Sequence, residues 1–158
     1  MKTNVFVSVP ALMCFVFTCL VFIGCEKQDA DTTKPVISLS EPEEGEEVRT
    51  GESMHLEMDL SDDVALAGYM VEVHNNFDHH GHKAPARAAE DSVVFYFKQS
   101  YEISWRNQHI HSHDVVIPAN AKAGDYHLMV YCTDAAGNQS FVARNIVLSP
   151  DAEHHHHE

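Results

Sequence analysis

Strict alternation of apolar and polar residues is the feature that most limits the fold of this chain. It runs through residues 54–60 and recurs in residues 69–74 and 126–132. Successive side chains of a strand point to opposite faces, so this pattern predicts half-buried β-strands. Since no helical period of useful length follows residue 34, the chain is predicted to be all-β.

About seven short strands separated by turn signals predict an antiparallel β-sandwich of the Ig-like (fibronectin-like) type. The predicted strands lie near residues 36–39, 54–60, 69–74, 93–97, 101–117, 126–132 and 141–148. The sandwich domain is placed at residues 35–149, and Cys132 is expected inside it opposite Met58.

The first residues read as a targeting segment and are excluded from the fold. An apolar run ends in Phe22-Ile23-Gly24-Cys25, which resembles the lipobox of bacterial lipoproteins. We therefore expect a signal peptide at 1–24, a lipidated Cys25 and a polar tether at 25–34. An ordinary signal peptide or a single membrane anchor is the alternative. With Cys14 and Cys19 removed and Cys25 acylated, only Cys132 remains, so no intramolecular disulfide is expected.

The charge of the chain limits its partners. It has 24 Asp and Glu against 10 Lys and Arg, a formal net charge of −14. Nucleic acid is therefore excluded as an expected partner, whereas cations are favoured.

Thirteen histidines in 158 residues are hard to explain by packing, and most are clustered. Neutral imidazole is the commonest ligand of transition metals, so the clusters predict metal binding. The candidate ligands are His74, His79, His80, His82, His109, His111, His113 and His127. The accessory candidates are Glu72, Asp78, Met129 and the tail residues His154, His155, His156 and His157. The His-rich tail, residues 150–158, reads as native, with an expression tag as the alternative. His55 reads as an exposed residue of a polar strand face.

The Ig-like topology predicts that these clusters meet at one end of the domain. The third and sixth predicted strands are antiparallel neighbours, which places His74 beside His127 on an outward face. His109, His111 and His113 are spaced by two and should share one strand face, although Val115 and Ile117 have the same parity. The loop with His79 and the tail should leave from the same end.

Zinc is the expected metal, with copper and nickel as alternatives, because imidazole with carboxylate suits all three ions. Calcium prefers oxygen ligands and is not expected at the histidines. Asp62, Asp63 and Asp134 lie at the other end of the domain, where they read as turn residues with calcium binding as the alternative.

Several motifs together resemble a known family. They are the lipobox, Thr33-Lys34-Pro35-Val36-Ile37, Ser61-Asp62-Asp63-Val64-Ala65-Leu66, His109-x-His111, Gly124-Asp125-Tyr126-His127 and Asp134-Ala135-Ala136-Gly137-Asn138. This set resembles a lipoprotein family of Bacteroidota, domain of unknown function 4625. The resemblance covers most of residues 32–148 and implies an Ig-like fold in the cell envelope. It implies no activity and no catalytic residues.

The resulting hypothesis is a lipoprotein of the outer membrane, facing the periplasm or the cell surface. It captures or buffers metal and delivers it to a TonB-dependent transporter or another envelope protein. The alternative is an Ig-like module that binds a protein or glycan and has no metal role. An enzyme is not expected, because neither a HExxH-type motif nor a nucleophile constellation is present.

Overall fold

Two β-sheets make up the described part of the chain. The computed structural model describes residues 30–77 and 91–153. Its strands are β1 (Val36–Glu41), β2 (Glu46–Arg49), β3 (Ser53–Ser61), β4 (Leu66–Asn75), β5 (Phe97–Glu102), β6 (Asn107–Val116), β7 (Gly124–Asp134) and β8 (Gln139–Ser149). A three-stranded sheet has the order β1-β3-β6, and a five-stranded sheet has the order β2-β8-β7-β4-β5. The Ig-like β-sandwich predicted from the alternation is confirmed.

The core lies between the inward faces of the two sheets. In β3 the apolar residues of the alternating set are 0–2% exposed, and in β7 those from Tyr126 to Cys132 are all 0% exposed. Burying an aliphatic side chain of this size contributes about 1.5–3 kcal/mol, which is what drives the two faces together. Met58 and Cys132 are both fully buried, as expected. Burial, helped by the charges of Asp62 and Asp134, raises the pKa of the Cys132 thiol to about 11.

The strand assignment from sequence was wrong in three places. Residues Glu46–Arg49 form a strand parallel to β8, which the sequence did not predict because only one of the four residues is apolar. The segment predicted as one strand over 101–117 is divided, since β5 and β6 belong to different sheets. Near 93–97, Val93 makes only an isolated bridge to Ala121, and the strand begins at Phe97.

Tyr126 anchors the start of β7, as in other Ig-like sandwiches. Its hydroxyl donates to the Lys122 carbonyl at 2.8 Å and accepts from the Phe95 amide at 3.2 Å. Because burial raises the pKa of Tyr126, this hydroxyl stays protonated and able to donate. In the described ranges, no helix is long and apolar enough to span a membrane.

The sandwich has two ends that matter for function. One end, which we call the histidine pole, contains the start of β3 and the end of β6, where Met54 pairs with Val115. The end of β4 and the start of β7 lie at the same pole, where Asn75 pairs with Tyr126. At the acidic pole lie the end of β3, the start of β4 and the end of β7. There β1 also begins, because Val36 pairs with Ser61.

Candidate metal centre

The outward face of the three-stranded sheet carries alternating imidazoles and carboxylates. On β3 this face presents His55, Glu57 and Asp59, and on β6 it presents His109, His111 and His113. The strand register sets acidic residues opposite basic ones, because Glu57 pairs with His111 and Asp59 pairs with His109. On β1, Glu41 pairs with Glu57 and extends the row.

A β-bulge in β6 keeps the histidines on this face. Leu56 pairs with Ser112 and Met54 with Val115, so β6 uses one more residue than β3 between these two pairs. An extra residue shifts the alternation of a strand by one position. His111 and His113 therefore face solvent, while Val115, which a regular strand would place beside them, is buried at 2% exposure.

A cross-sheet contact accompanies the bulge. The Tyr101 hydroxyl of β5 donates to the Asp114 carboxylate at 3.1 Å, so the residue after His113 is tied to the other sheet. Tyr101 also stacks on Tyr69, with ring centroids 4.6 Å apart. Burial and the bond to Asp114 raise the pKa of Tyr101 to about 12, so its hydroxyl remains a donor over the neutral range.

Three histidines converge beside the bulge and form what we call the imidazole cluster: His55, His111 and His113. One ring nitrogen from each lies within 4.8 Å of those of the other two. The ring centroid of His55 lies 4.6 Å from that of His111 and 4.9 Å from that of His113. In a tetrahedral zinc site the ligand nitrogens are about 3.3 Å apart, given Zn–N bonds of about 2.0–2.1 Å. The exposed side chains of His111 and His113 can rotate to close this difference.

Glu41 orients His55 within the cluster. The Glu41 carboxylate oxygen lies 2.7 Å from Nδ1 of His55, whose side chain is only 13% exposed. On the other side of the ring, Nε2 of His55 lies 3.2 Å from Nδ1 of His111. A carboxylate against Nδ1 favours the proton on that nitrogen and leaves the lone pair of Nε2 turned toward the cluster. Metal-bound histidines commonly have such a carboxylate behind them.

Carboxylates near the cluster could complete a ligand set. Glu41, His55 and Glu57 also place one ligand atom each within 4.8 Å of one another. His109 lies beside this group but is engaged separately, with Nδ1 at 2.9 Å from Asp59 and Nε2 at 3.9 Å from Glu57. Imidazole and carboxylate together form the donor set that suits zinc, copper and nickel.

The five-stranded sheet carries a second histidine pair on its own outward face. His74 pairs directly with His127, as the topology predicted, and their ring centroids are 5.4 Å apart. Nδ1 of His74 is buried, and none of the residues that the structure describes forms a hydrogen bond with it. Within the described ranges, however, no third imidazole, thiolate or carboxylate joins them in a three-ligand group.

The accessory residues of this second pair lie two positions along the strands, on the same face. Glu72 pairs with Met129, next to the His74–His127 pair. The Glu72 carboxylate is already engaged, because it accepts from Lys98 Nζ at 3.2 Å and from the Tyr96 hydroxyl at 3.3 Å. The bond to Glu72 raises the pKa of Lys98.

His74, His127, His111 and His113 lie near one end of the domain, as predicted, but they are divided between the two sheets. His111 and His113 lie on the outward face of one sheet, and His74 and His127 lie on the outward face of the other. Both sets are near the histidine pole, but outward faces of a sandwich point away from each other. The remaining assigned residues, Cys25, Asp78, His79, His80, His82, His154, His155, His156 and His157, lie outside the described residues.

His55 is the site residue that sequence reasoning missed. The polar face of its strand predicts an exposed residue, whereas the structure half-buries it between Glu41 and His111. A signal was present, because β3 and β6 of an Ig-like sandwich are neighbours and the outward parity of β3 includes His55. Glu41 could not be found in this way, since its place depends on a second bulge between Leu39 and Glu41.

Known proteins are similar to this chain in structure and in sequence. Fibronectin(III)-like modules of Clostridium thermocellum CbhA are similar at 13% identity with a TM-score of 0.43, and the match covers 75% of this chain and 100% of the module chain. The chain matches no curated protein sequence. The family described as "Domain of unknown function (DUF4625)" matches residues 23–149, which is most of the chain. The chain therefore belongs to the DUF4625 family.

Proposed function

We propose that this domain binds a divalent transition metal on the outward face of its three-stranded sheet. The ligands are His55, His111 and His113, and zinc is the expected ion, with copper and nickel as alternatives. One observation carries the proposal: three imidazoles lie within ligand reach of one another, and a carboxylate stands behind the half-buried one.

Charge and topology support an accessible site. The net charge of −14 attracts cations, and Glu41, Glu57 and Asp59 concentrate negative charge around the imidazoles. The sheet is formed by β-strands over the core, so the ligands stand on a rigid support. The half-buried His55 in particular loses little side-chain freedom on binding, which favours affinity.

The envelope role of the proposal comes from the sequence. Acylation of Cys25 anchors the chain to the outer membrane, and residues before β1 form the tether. β1 begins at the acidic pole, so the tether enters the domain at the end opposite the imidazole cluster. In this arrangement the cluster captures or buffers metal away from the lipid and delivers it to a TonB-dependent transporter or another envelope protein.

Calorimetric titration with zinc tests this site in a background variant that lacks the loop and tail histidines, so that these cannot bind zinc themselves. The background is the full chain with His79, His80, His82, His154, His155, His156 and His157 changed to alanine. We expect one zinc per chain in this background. Adding His55→Ala and His111→Ala should abolish binding at micromolar zinc.

A double variant on the other sheet is the matched control. His74→Ala with His127→Ala removes the same number of imidazoles and should leave the zinc stoichiometry unchanged. Equal losses in the two double variants would refute the assignment to the three-stranded sheet. Circular dichroism of each variant confirms that the sandwich is folded.

A second candidate function is a protein-binding module, and exposed apolar residues at the acidic pole favour it. Trp105 is 70% exposed, Val36 is 62% exposed and Val64 is 55% exposed. Exposed tryptophan is frequent at binding hot spots. If this function holds, pull-down of an envelope partner should be lost with Trp105→Ala and should be indifferent to a chelator. A chelator-sensitive partner unaffected by Trp105→Ala would favour the metal function.

A further inference from the structure

Three aspartates from distant parts of the chain meet at the acidic pole. Asp31 precedes β1, Asp62 directly follows β3, and Asp134 ends β7. One carboxylate oxygen from each lies within 4.8 Å of those of the other two. We call these residues the acidic cluster. It lies at the opposite end of the sandwich from the imidazole cluster.

Asp62 has a buried oxygen that the described part of the chain does not satisfy. The residue is 9% exposed, and its Oδ1 accepts from the amides of Val64 at 2.9 Å and Ala65 at 2.8 Å. Its Oδ2 is buried and has no hydrogen-bond partner among residues 30–77 and 91–153. The turn geometry therefore uses only one of the two oxygens. A buried carboxylate oxygen without a partner is costly, and a bound cation would satisfy it.

Asp134 is buried as well, at 2% exposure. Burial alone raises the pKa of its carboxyl, but hydrogen bonds from the side chain and amide of Asn138 and from the amides of Gly137 and Ala136 outweigh this and lower the pKa. Asp134 therefore carries a negative charge at neutral pH. Nearby carboxylates repel one another unless a positive charge lies between them.

The protein supplies no such positive charge in its described ranges. No Lys, Arg or His of residues 30–77 and 91–153 forms an ion pair with any member of the acidic cluster. The nearby Arg106 guanidinium donates instead to the backbone carbonyl of Asp63.

We propose that the acidic cluster binds a calcium ion. Calcium takes oxygen ligands at about 2.3–2.6 Å, so two ligands of one ion are at most about 5 Å apart. The 4.8 Å limit of the three carboxylates falls within this reach without rearrangement of the strands. Zinc prefers imidazole and thiolate, so the two clusters select different ions.

The ion also joins the segment before β1 to the body of the domain. Asp31 already docks there, because its carbonyl accepts from Asn138 Nδ2 at 3.1 Å, and Thr33 Oγ1 donates to Asp63 at 3.1 Å. With calcium bound, Asp31 is held to the ends of β3 and β7 through a metal as well. The site therefore fixes how the chain enters the sandwich.

Thermal unfolding of the full chain with added calcium tests this inference, after metals are removed with a chelator. Calcium sites of extracellular modules have dissociation constants of about 10⁻⁴–10⁻³ M, so 10 mM CaCl2 should raise Tm by about 5 °C or more. The same concentration of MgCl2 should raise it much less. No calcium-dependent rise, or an equal rise with magnesium, would overturn the inference.

Two variants and a matched control assign the residues. Asp62→Asn should abolish the calcium-dependent rise in Tm. In Asp31→Asn, at least tenfold more calcium should be needed for the same rise in Tm. This variant stays informative if Asp62→Asn fails to fold, because Asp31 lies outside the strands. Asp151→Asn makes the same change of charge at an exposed residue near the histidine pole and should behave like the wild type. A calcium response that is unchanged in Asp31→Asn would overturn the assignment.

Discussion

The contact between Glu41 and His55 is the smallest unit on which the proposed metal site depends. The carboxylate lies on the far side of the ring from His111, so it favours the proton on Nδ1 and the lone pair on Nε2. Such a residue acts through the ligand and does not need to touch the metal. Its removal should weaken binding without abolishing it.

Glu41→Gln should therefore lower zinc affinity by about 10–100-fold, the usual effect of losing a residue behind a metal ligand. The amide keeps the size of the side chain but lacks the charge. Calorimetry in the background without loop and tail histidines measures the effect. Glu43→Gln is the matched control, since it removes one exposed charge from the same segment. Equal affinities of the two variants would contradict the orienting role of Glu41.

Tyr101 gives a prediction for alkaline pH. Its pKa is raised to about 12 in the folded protein, compared with about 10 for an unperturbed tyrosine. The neutral hydroxyl is thus favoured by folding. This contribution to stability is fully present below about pH 10 and is lost as the pH rises toward 12.

Tyr101→Phe should reduce the loss of stability between about pH 10 and pH 12, because the titrating group is gone. Denaturant unfolding at both ends of this range measures it. Tyr96→Phe, at a residue that is 58% exposed, serves as the control. The prediction fails if Tyr101→Phe and the wild type lose the same free energy of unfolding over this range.

Among the elements, β6 shows most clearly where sequence reasoning stops. The alternation predicted that His109, His111 and His113 share a face, and the structure agrees. The same parity would also place Val115 and Ile117 on that face, yet both are buried. A bulge allows the histidines to face solvent while Val115 and Ile117 are buried. Its position depends on how β6 pairs with β3, and the alternation of one strand does not show that pairing.

Deleting Asp114 tests the bulge. With Asp114 removed, Val115 directly follows His113, so a regular strand keeps His111 and His113 outside and Val115 inside without a bulge. If the bulge lay elsewhere, the deletion would expose Val115 and Ile117, which costs about 3–6 kcal/mol. We therefore expect the deletion to keep zinc binding and to lower the free energy of unfolding by only about 1.5–3 kcal/mol, through loss of the bond to Tyr101.

Asp114→Ala is the control for this deletion. It removes the bond to Tyr101 but retains the residue count, so it should cost only about 1.5–3 kcal/mol and leave zinc binding nearly unchanged. A deletion that costs much more than the substitution, or that abolishes zinc binding, would show that the bulge does not lie at Asp114.

Other elements were predictable to the extent that their periodicity was strong. β3, β4 and β7 have long alternating sets whose inward members are buried, and all three were found from the sequence. β2 has four residues and one buried apolar side chain, which is too short a pattern to detect. The break between β5 and β6 was missed because both strands are extended and only their sheets differ.

At the scale of the whole molecule, the sandwich separates two kinds of donor. Imidazoles collect near the start of β3, and aspartates collect around its end. His55 and Asp62 are seven residues apart in the sequence, which in an extended strand is roughly 23 Å. The sequence predicted the histidines and acidic residues at opposite ends, but it did not predict that the two histidine sets lie on opposite outward faces of the sandwich. That depends on the division of strands between the two sheets.

Zinc and calcium should therefore stabilise the domain independently. Sites separated by more than about 10 Å usually contribute additively to stability. The rise in Tm with both ions should equal the combined rises measured with each ion alone. A combined rise that matches the larger single rise would indicate that both ions occupy one site.

The most direct test of the metal site is an anomalous difference map from crystals of the chain grown with zinc, in the background without the loop and tail histidines. We predict a peak on the outward face of the three-stranded sheet, with ring nitrogens of His55, His111 and His113 at about 2.0–2.1 Å from the ion. A peak only between His74 and His127, or none on the three-stranded sheet, would contradict it.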